Sequence, residues 1–156
     1  MKILVLSDSH GNLSNMIRTV RLTKPRLILH LGDCWRDGER LHAMFPEIAF
    51  EQVPGNCDYR SSESAEKLLF WEGKRVLICH GHTYDVKHTL LNAGQTAEEQ
   101  HLDLFLFGHT HRAFRDERCG TLFFNPGSIG DYHDPTYGII FLENGTVNGE
   151  ILHVNQ

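Results

Sequence analysis

Short apolar runs recur along the chain, and each ends in polar or glycine-containing residues. Strand-length runs cover 2–7, 27–31, 48–53, 68–71, 75–79, 102–107, 121–124, 138–142 and 146–154. The spacing of apolar residues predicts a helix over 13–22, and shorter helices are expected over 39–45 and 89–100. Strands and helices mix in the first two-thirds of the chain, whereas the last third is nearly all strand. The pattern therefore predicts a single α/β domain over 1–156, with two packed sheets and helices outside them.

Five of these strands end in the same kinds of polar residue. The polar blocks are Asp8-Ser9-His10, Gly32-Asp33, Gly55-Asn56-Cys57-Asp58, His80-Gly81-His82 and Gly108-His109-Thr110-His111. If the strands run parallel, their carboxyl ends converge on one crevice, which is where ligand sites of open α/β sheets lie. The glycines permit tight turns and a close approach of the backbone. The sequence thus predicts one site built from five loops.

The donor atoms of these blocks are typical of a metal centre. Seven residues are candidate ligands: Asp8, His10, Asp33, Asn56, His80, His109 and His111. Carboxylates, one amide oxygen and several imidazoles suit Mn, Fe, Co, Ni or Zn, and they argue against a structural zinc site of the cysteine type. In an extended segment, His109 and His111 would lie roughly 6.5–7 Å apart on one face. Each imidazole could then serve a different ion of a pair about 3.5–4 Å apart.

Composition and charge narrow the function class. The chain has 11 His in 156 residues, and they are dispersed rather than gathered in one tract. Its formal net charge is -5 and no basic run occurs, which argues against a long nucleic acid as substrate. The four Cys form no Cys-x-x-Cys pair, and no secretory or membrane-length apolar run is present. We therefore expect a cytoplasmic protein with free thiols and no membrane partner.

The five blocks, in this order, resemble the calcineurin-like metallophosphoesterase superfamily. The Gly-Asn-Cys-Asp block is similar to its small bacterial and archaeal phosphodiesterase branch, to which the retromer subunit Vps29 is related. The resemblance covers residue 8 to about residue 128. It implies a four-layer αββα sandwich of two mixed β-sheets flanked by helices. It also implies a dinuclear enzyme with two divalent ions, Mn first and Ni, Co, Zn or Fe as alternatives.

The same resemblance implies how the ligands divide between the ions. Asp8, His10 and His111 would hold one ion, Asn56, His80 and His109 would hold the other, and Asp33 would bridge them. A hydroxide between the ions would attack phosphorus in line, and both ions would stabilise charge on the phosphoryl oxygens. Asn56 could also be no more than a turn residue after Pro54-Gly55.

One departure from the family pattern concerns the leaving group. Many members have His directly after the Asn, where it is thought to protonate the leaving group, but here that place is Cys57. A thiol with its ordinary pKa of about 8.5 is a poor acid. The substitution favours phosphodiesters or activated aryl phosphoesters over alkyl monoesters. His82 could take the role of proton donor, or it could make only a supporting hydrogen bond.

The remaining candidates each have a simpler alternative. Asn12 could contact the phosphate or cap the helix that follows it, and Cys57 could be an inert thiol. Cys79 is expected to pack in the core. Six other imidazoles are expected at the surface or as satisfied core residues: His30, His42, His88, His101, His133 and His153.

Two functions compete for this chain. The first is a metal-dependent phosphoesterase acting on a small phosphodiester or nucleotide-like substrate. The alternative is a catalytically weak scaffold of the Vps29 type. A scaffold would be free to lose a ligand, and this sequence lacks none of the seven, so the enzyme is favoured. The oligomeric state is left open.

Overall fold

The computed structural model describes residues 1–59 and 62–156 of the chain. Within these ranges the strands are β1 (Lys2–Leu6), β2 (Leu27–His30), β3 (Ala49–Gln52), β4 (Glu66–Trp71), β5 (Lys74–Cys79), β6 (Leu104–Leu106), β7 (Phe114–Arg118), β8 (Thr121–Asn125), β9 (Thr136–Glu143) and β10 (Thr146–His153). The helices are α1 (Leu13–Thr23), α2 (Trp35–Met44) and α3 (Leu91–Glu99), with a 3-10 turn at His82–Tyr84. No helix in the described part of the chain is long and apolar enough to cross a membrane.

The strands form two mixed sheets of five strands each. The first has the order β10-β9-β1-β2-β3, in which β1, β2 and β3 are parallel and β9 and β10 are antiparallel additions at one side. The second has the order β4-β5-β6-β8-β7, in which β5, β6 and β8 are parallel and the two outer strands are antiparallel. The prediction of two mixed sheets is confirmed.

Three apolar clusters separate four layers. One cluster fills the space between the sheets, with Ile3 and Val5 of β1 facing residues of β5 and β6. A second packs α1 and α2 against the outer face of the first sheet, where Leu4 and Leu6 contribute. The third packs α3 against the second sheet. Because β1 is covered on both faces, its sequence is continuously apolar rather than alternating. The four-layer sandwich is therefore confirmed.

Most predicted elements appear with ends shifted by one or two residues, but two predictions differ from the structure. Strand β7 was not predicted: it is a charged edge strand in which only Phe114 is apolar, and its position depends on pairing with β8. Helix α2 begins at Trp35 rather than Glu39 because the Trp35 N–H is satisfied by the Asp58 carboxylate of a distant loop at 2.9 Å.

Candidate metal centre

The polar blocks meet at one edge of the sandwich, and both sheets contribute to the meeting point. The loops after β1, β2 and β3 come from the first sheet, and those after β5 and β6 come from the second. Several contacts join the sheets directly, and two of them involve the carboxylates of Asp8 and Asp33. The backbone N–H of His109 donates to Asp8 Oδ2 at 3.1 Å, and His80 Nε2 lies 3.5 Å from Asp33 Oδ2. The predicted convergence is thus present, and it crosses from one sheet to the other.

One group of potential donors surrounds the Asp8 carboxylate. Asp8, His10, Asp33 and His111 each offer one ligand atom, and these four atoms lie within 4.8 Å of one another. His111 Nε2 is 3.2 Å from Asp8 Oδ1 and 3.4 Å from His10 Nε2. His10 Nε2 is 3.9 Å from Asp33 Oδ2. Side chains from three loops therefore converge where the resemblance expects one ion.

A second group lies beside the first and shares Asp33 with it. His80 Nε2 lies 3.5 Å from Asp33 Oδ2, and His109 Nδ1 lies 3.2 Å from His80 Nε2. His80 Nδ1 is 2.7 Å from the Leu31 carbonyl oxygen, which can only accept, so Nδ1 carries the proton. Nε2 is then the nitrogen that faces Asp33, and in the neutral ring it carries the lone pair that a metal ion can bind.

Asp8 provides the test of whether these residues suit a cation. Its side chain is fully buried, and its Oδ2 accepts from the Ser7 hydroxyl at 2.6 Å and from the His109 N–H. Its Oδ1 is buried without a hydrogen-bond partner in the described structure, and His111 Nε2 lies 3.2 Å away without the geometry of a hydrogen bond. A buried carboxylate oxygen is costly when unpaired, and a divalent cation would satisfy it. The donor set therefore fits such an ion.

The Asn56 loop is placed against Asp33. The N–H of Cys57 donates to Asp33 Oδ1 at 3.0 Å, which leaves Asp33 Oδ2 facing the imidazoles. Asn56 itself is exposed, and its Nδ2 lies 3.7 Å from Cys57 Sγ. The role of Asn56 as a metal ligand stays a prediction.

Asp58 organises two of the loops, and sequence analysis gave it no role. Its carboxylate accepts the N–H groups of Asp33 (3.0 Å), Cys34 (3.0 Å), Trp35 (2.9 Å) and Gly55 (2.8 Å). These four bonds tie the loop after β2 to the loop after β3. In the sequence, Asp58 is recognisable only as an acidic turn residue two positions after Asn56. That position does not reveal its hydrogen bonds to the distant loop after β2.

Most of the candidate metal ligands share an unusual backbone conformation. Asp8, His10, Asp33, His109 and His111 all have a positive φ, between 44° and 69°. Such a conformation costs about 1–3 kcal/mol for a residue other than glycine, and it persists where surrounding contacts impose it. Five of the seven candidate ligands share this strained conformation, which favours a functional origin for the strain.

A buried network holds the loop after β1. Asp37 Oδ2 accepts from the Ser9 hydroxyl and from the Gly11 N–H, each at 2.7 Å. His30 Nε2 lies 3.0 Å from Ser9 Oγ, and burial lowers the pKa of His30 to about 4. The expectation of a fully satisfied core residue is wrong for His30, because its buried Nδ1 has no partner in the described structure.

The two carboxylates are ionised in this setting. Burial opposes ionisation of Asp8, but His111 and His80 outweigh it and hold the pKa of this carboxyl below its ordinary value. Burial likewise opposes ionisation of Asp33, and its contact with His80 holds its pKa well below the usual range. Two anionic carboxylates beside four imidazoles form a centre that attracts cations.

The pKa values of three of these imidazoles, His111, His80 and His109, are shifted in two directions. Contact with Asp8 raises the pKa of His111, and for His80 the burial penalty is outweighed by Asp33 and Asp8, so its pKa is also raised. Burial, followed by the charge of His80, lowers the pKa of His109 to about 4.

The three other candidates lie around this centre. The His82 ring centroid is 5.6 Å from that of His80, and burial lowers its pKa. Cys57 is exposed, and desolvation and the charge of Asp33 raise the pKa of its thiol. Asn12 caps α1, because its Oδ1 accepts the N–H of Asn15 at 3.1 Å, and its contact with phosphate stays a prediction. Cys79 is buried in the cluster beneath α3, as expected.

Similarity to solved structures supports the fold. A predicted phosphoesterase of Streptococcus pneumoniae matches with a TM-score of 0.81 and 24% identity, covering 99% of this chain and 90% of that one. Vps29 of Entamoeba histolytica complexed with zinc matches with a TM-score of 0.74 and 18% identity, covering 99% of this chain and 100% of that one. At these identities the matches establish the fold alone.

Sequence similarity establishes the family. The model of the calcineurin-like phosphoesterase superfamily domain matches residues 1–145. The probable metallophosphoesterase YsnB of Bacillus subtilis is 35% identical over 151 residues, covering 92% of this chain and 86% of YsnB. The phosphodiesterase YfcE of Escherichia coli is 28% identical over 157 residues, covering 83% and 79%. This chain is therefore a metallophosphoesterase that belongs to the calcineurin-like phosphoesterase superfamily.

Proposed function

We propose that the chain is a dinuclear metal-dependent phosphoesterase that hydrolyses phosphodiesters or activated aryl phosphoesters. One observation carries the dinuclear assignment: Asp33 Oδ2 lies 3.5 Å from His80 Nε2 and 3.9 Å from His10 Nε2, between the two groups of donors. In this proposal one ion is held by Asp8, His10 and His111, the other by Asn56, His80 and His109, and both by Asp33. The mixture of nitrogen and oxygen donors is compatible with Mn, our first choice, and with Ni, Co, Zn or Fe.

The residues of the chain prepare the site before any substrate arrives. Two divalent ions in such a site would supply Lewis-acid stabilisation of the phosphoryl oxygens and lower the pKa of bound water. Asp8 and Asp33 bring the negative charge that holds the cations. The hydrogen bond from His80 Nδ1 to Leu31 fixes which nitrogen faces Asp33. Because these groups are held by the fold, little reorganisation is needed on binding.

The preference for diesters or activated esters rests on the scarcity of proton donors. Cys57 keeps its proton tightly because its pKa is raised, so its thiol is a weak acid. His82 has a lowered pKa, so its imidazole is largely unprotonated near neutral pH. A phosphoester whose leaving group needs no protonation is therefore the better substrate.

The scaffold alternative is favoured by one observation, the similarity in fold to Vps29 proteins. Since one of those proteins was determined in complex with zinc, metal binding alone does not separate the two functions. The complete set of candidate ligands and the similarity to YfcE, a phosphodiesterase, favour the enzyme.

The substrate and the compartment are also part of the proposal. We expect a small phosphodiester or nucleotide-like substrate, because a net charge of -5 disfavours a long polyanion. We expect a cytoplasmic location, because the four cysteines Cys34, Cys57, Cys79 and Cys119 are unpaired.

The direct test is reconstitution of the metal-stripped protein with Mn, Ni, Co, Zn or Mg. Each form is assayed on bis(p-nitrophenyl) phosphate, p-nitrophenyl phosphate and glycerol phosphate, and bound metal is counted by elemental analysis. We expect about two ions per chain and turnover in the order diester, aryl monoester, alkyl monoester. Metal binding without turnover of any ester would establish the scaffold instead.

A further inference from the structure

A groove opens directly beside the metal centre. Its volume is about 870 Å³, and its lining includes His10 and Cys57 together with Trp35, Arg36 and Tyr59. His10 is a candidate ligand, so the groove is continuous with the place where phosphorus would bind. Small-molecule sites are typically about 300–1,000 Å³, and the groove has room for an organic group attached to that phosphorus.

Trp35 is held in place along this groove by two hydrogen bonds. Its backbone N–H donates to Asp58 Oδ1 at 2.9 Å, and its indole Nε1–H donates to Glu39 Oε1 at 3.1 Å. The side chain is half-buried, so one part of the ring rests on the protein and another faces the groove. A ring positioned in this way loses little conformational freedom when a ligand packs on it.

The Trp35 and Tyr59 rings lack aromatic neighbours among the described residues. Among the described residues, neither Trp35 nor Tyr59 makes a ring–ring contact, although the rings of the core are paired with one another. The Tyr59 side chain is 89% exposed, the exposure of a ring that has no packing role in the fold. Two uncovered aromatic side chains beside a metal centre are suited to a ligand with a flat ring.

The charges of the groove point to an uncharged ring rather than a second anionic group. Among the described residues of the lining, Glu39 and Asp58 are acidic and Arg36 supplies a guanidinium, while the acidic Glu63 forms an ion pair with Lys67 at 3.6 Å. The pocket that includes Thr110, between His109 and His111, instead carries Lys87 and Arg112. An anionic substituent would be drawn to that cationic pocket, which leaves the aromatic groove for a neutral group.

We propose that Trp35 determines substrate specificity by stacking on a flat aromatic ring, aryl or nucleobase, that belongs to an ester substituent of the phosphorus. The inference rests on the proposed function, because the metal centre must bind the phosphoryl group for the ring to reach Trp35. It adds a residue and a chemical class of substituent that the metal site alone does not specify.

A matched pair of ligands tests the stacking directly. The chain has two Trp, so in a Trp71→Phe background Trp35 is the one remaining indole. We would load this protein with zinc, a d¹⁰ ion, and titrate it with adenosine 5′-monophosphate or with ribose 5-phosphate, which lacks only the base. We expect quenching of the emission by the nucleotide alone, and an affinity for it about 5- to 100-fold higher, as base–aromatic stacking supplies.

Variants separate stacking from a general effect on the site. By calorimetry, Trp35→Ala should lower the affinity for the nucleotide to that for ribose 5-phosphate, and Trp35→Phe should keep most of the preference. Phe70→Ala is the matched control, because Phe70 is an exposed ring of β4 that does not line the groove. Equal affinity for the two ligands, equal weakening of both by Trp35→Ala, or no binding of the nucleotide would overturn the proposal.

A kinetic readout keeps this inference distinct from the proposed function. Methyl p-nitrophenyl phosphate carries one aromatic ring that could stack on Trp35. If the stacking stabilises the bound substrate and the transition state equally, it lowers KM and leaves kcat unchanged. Trp35→Ala should therefore raise KM several-fold with little change in kcat. Turnover by the wild type without a preference for the nucleotide would refute only the role of Trp35. A preference for the nucleotide without turnover by any metal form would refute only the phosphoesterase.

Discussion

The metal centre has a buried half and an open half. Asp8 and His80 have fully buried side chains, whereas the side chains of His10 and His111 are 41% and 46% exposed. The buried half is fixed by hydrogen bonds to the Leu31 carbonyl and the Ser7 hydroxyl. The open half faces solvent and the groove beside Trp35. The difference indicates that the interior of the sandwich sets the geometry of the site, while the exposed imidazoles complete it on the side that faces solvent.

The largest effect should follow from removing the carboxylate that lies between the two groups of donors. Asp33→Asn keeps the shape of the side chain and an oxygen to accept from Cys57, but it removes the charge between the two donor groups. We expect activity to fall by about 10³-fold or more, which is the scale of a lost transition-state charge interaction, and occupancy of both ions to fall.

Elemental analysis and turnover of bis(p-nitrophenyl) phosphate measure this result. Asp116→Asn, a change of the same kind on the exposed strand β7, is the control. Two ions retained with normal turnover in Asp33→Asn would rule out the shared ligand.

Replacing one imidazole from each half tests the contrast itself. His80→Ala leaves the Leu31 carbonyl unpaired and opens a cavity, so the metal-free protein should lose about 2–4 kcal/mol of unfolding free energy. His10→Ala removes an exposed ring, and the loss should stay within about 0.5 kcal/mol. Both variants should lose activity by about 100-fold or more, because loss of a ligand costs at least as much as loss of a group that supports one.

Denaturant unfolding in the presence of a chelator gives the two free energies. His80→Asn, whose amide can still donate to Leu31, should recover part of the stability without recovering metal. Equal destabilisation by His80→Ala and His10→Ala would contradict the division into two halves.

A smaller effect is expected from the backbone that supports Asp33. A Cβ added at Gly55 would clash with Asp33 Oδ1 and would lie 2.5 Å from Asp33 N, so Gly55→Ala must displace the shared ligand. We expect activity to fall about 10- to 100-fold, as it does when the supports of metal ligands are changed.

Gly94→Ala in α3 is the matched control, because an added Cβ there meets open space and alanine favours the helix. Its activity should match that of the wild type, and its thermal unfolding temperature should rise slightly. Normal metal occupancy and activity in Gly55→Ala would show that the Asp33 loop tolerates displacement.

The response to pH is graded rather than all-or-none, and it has opposite signs with and without metal. The pKa of His111 and that of His80 are raised. As the pH falls, protons therefore begin to compete with metal for these nitrogens at a pH above the ordinary pKa of imidazole. Apparent zinc affinity should fall by up to about tenfold per pH unit for each proton displaced as the pH drops below these pKa values. Without metal, the same two contacts stabilise the fold fully below the unfolded pKa of about 6.5 and are lost as pH rises through the folded pKa.

Calorimetric zinc titrations and chelated thermal unfolding between pH 5 and 8 measure both signs. His88, an exposed imidazole away from the centre, supplies the control variant His88→Ala, which should leave both profiles unchanged. Zinc affinity independent of pH across this range would count against imidazole ligation.

Much of the architecture could be predicted because it is encoded locally. The continuous apolar sequence of β1 reflects burial on both faces, and the periodicity of 13–22 reflects one buried face of α1. Strand β7 escaped prediction because an edge strand needs little apolar sequence, and its partner β8 supplies the pairing. The start of α2 escaped for a related reason, since the acceptor for its first N–H groups belongs to Asp58.

The sequence by itself determined the seven candidate ligands, their order and the chemistry they share, because six of them follow buried strands whose apolar runs are visible in the chain, and Asn56 follows the apolar run over 48–53. Only the tertiary structure decided that two sheets would supply them, that Asp33 would lie between two donor groups, and that Asp8 would keep an unpaired oxygen. It alone revealed the four bonds to Asp58 and the groove beside Trp35. The physical reason is that these features are contacts between residues far apart in the chain. A local pattern of apolar and polar residues carries no information about the distances between such residues.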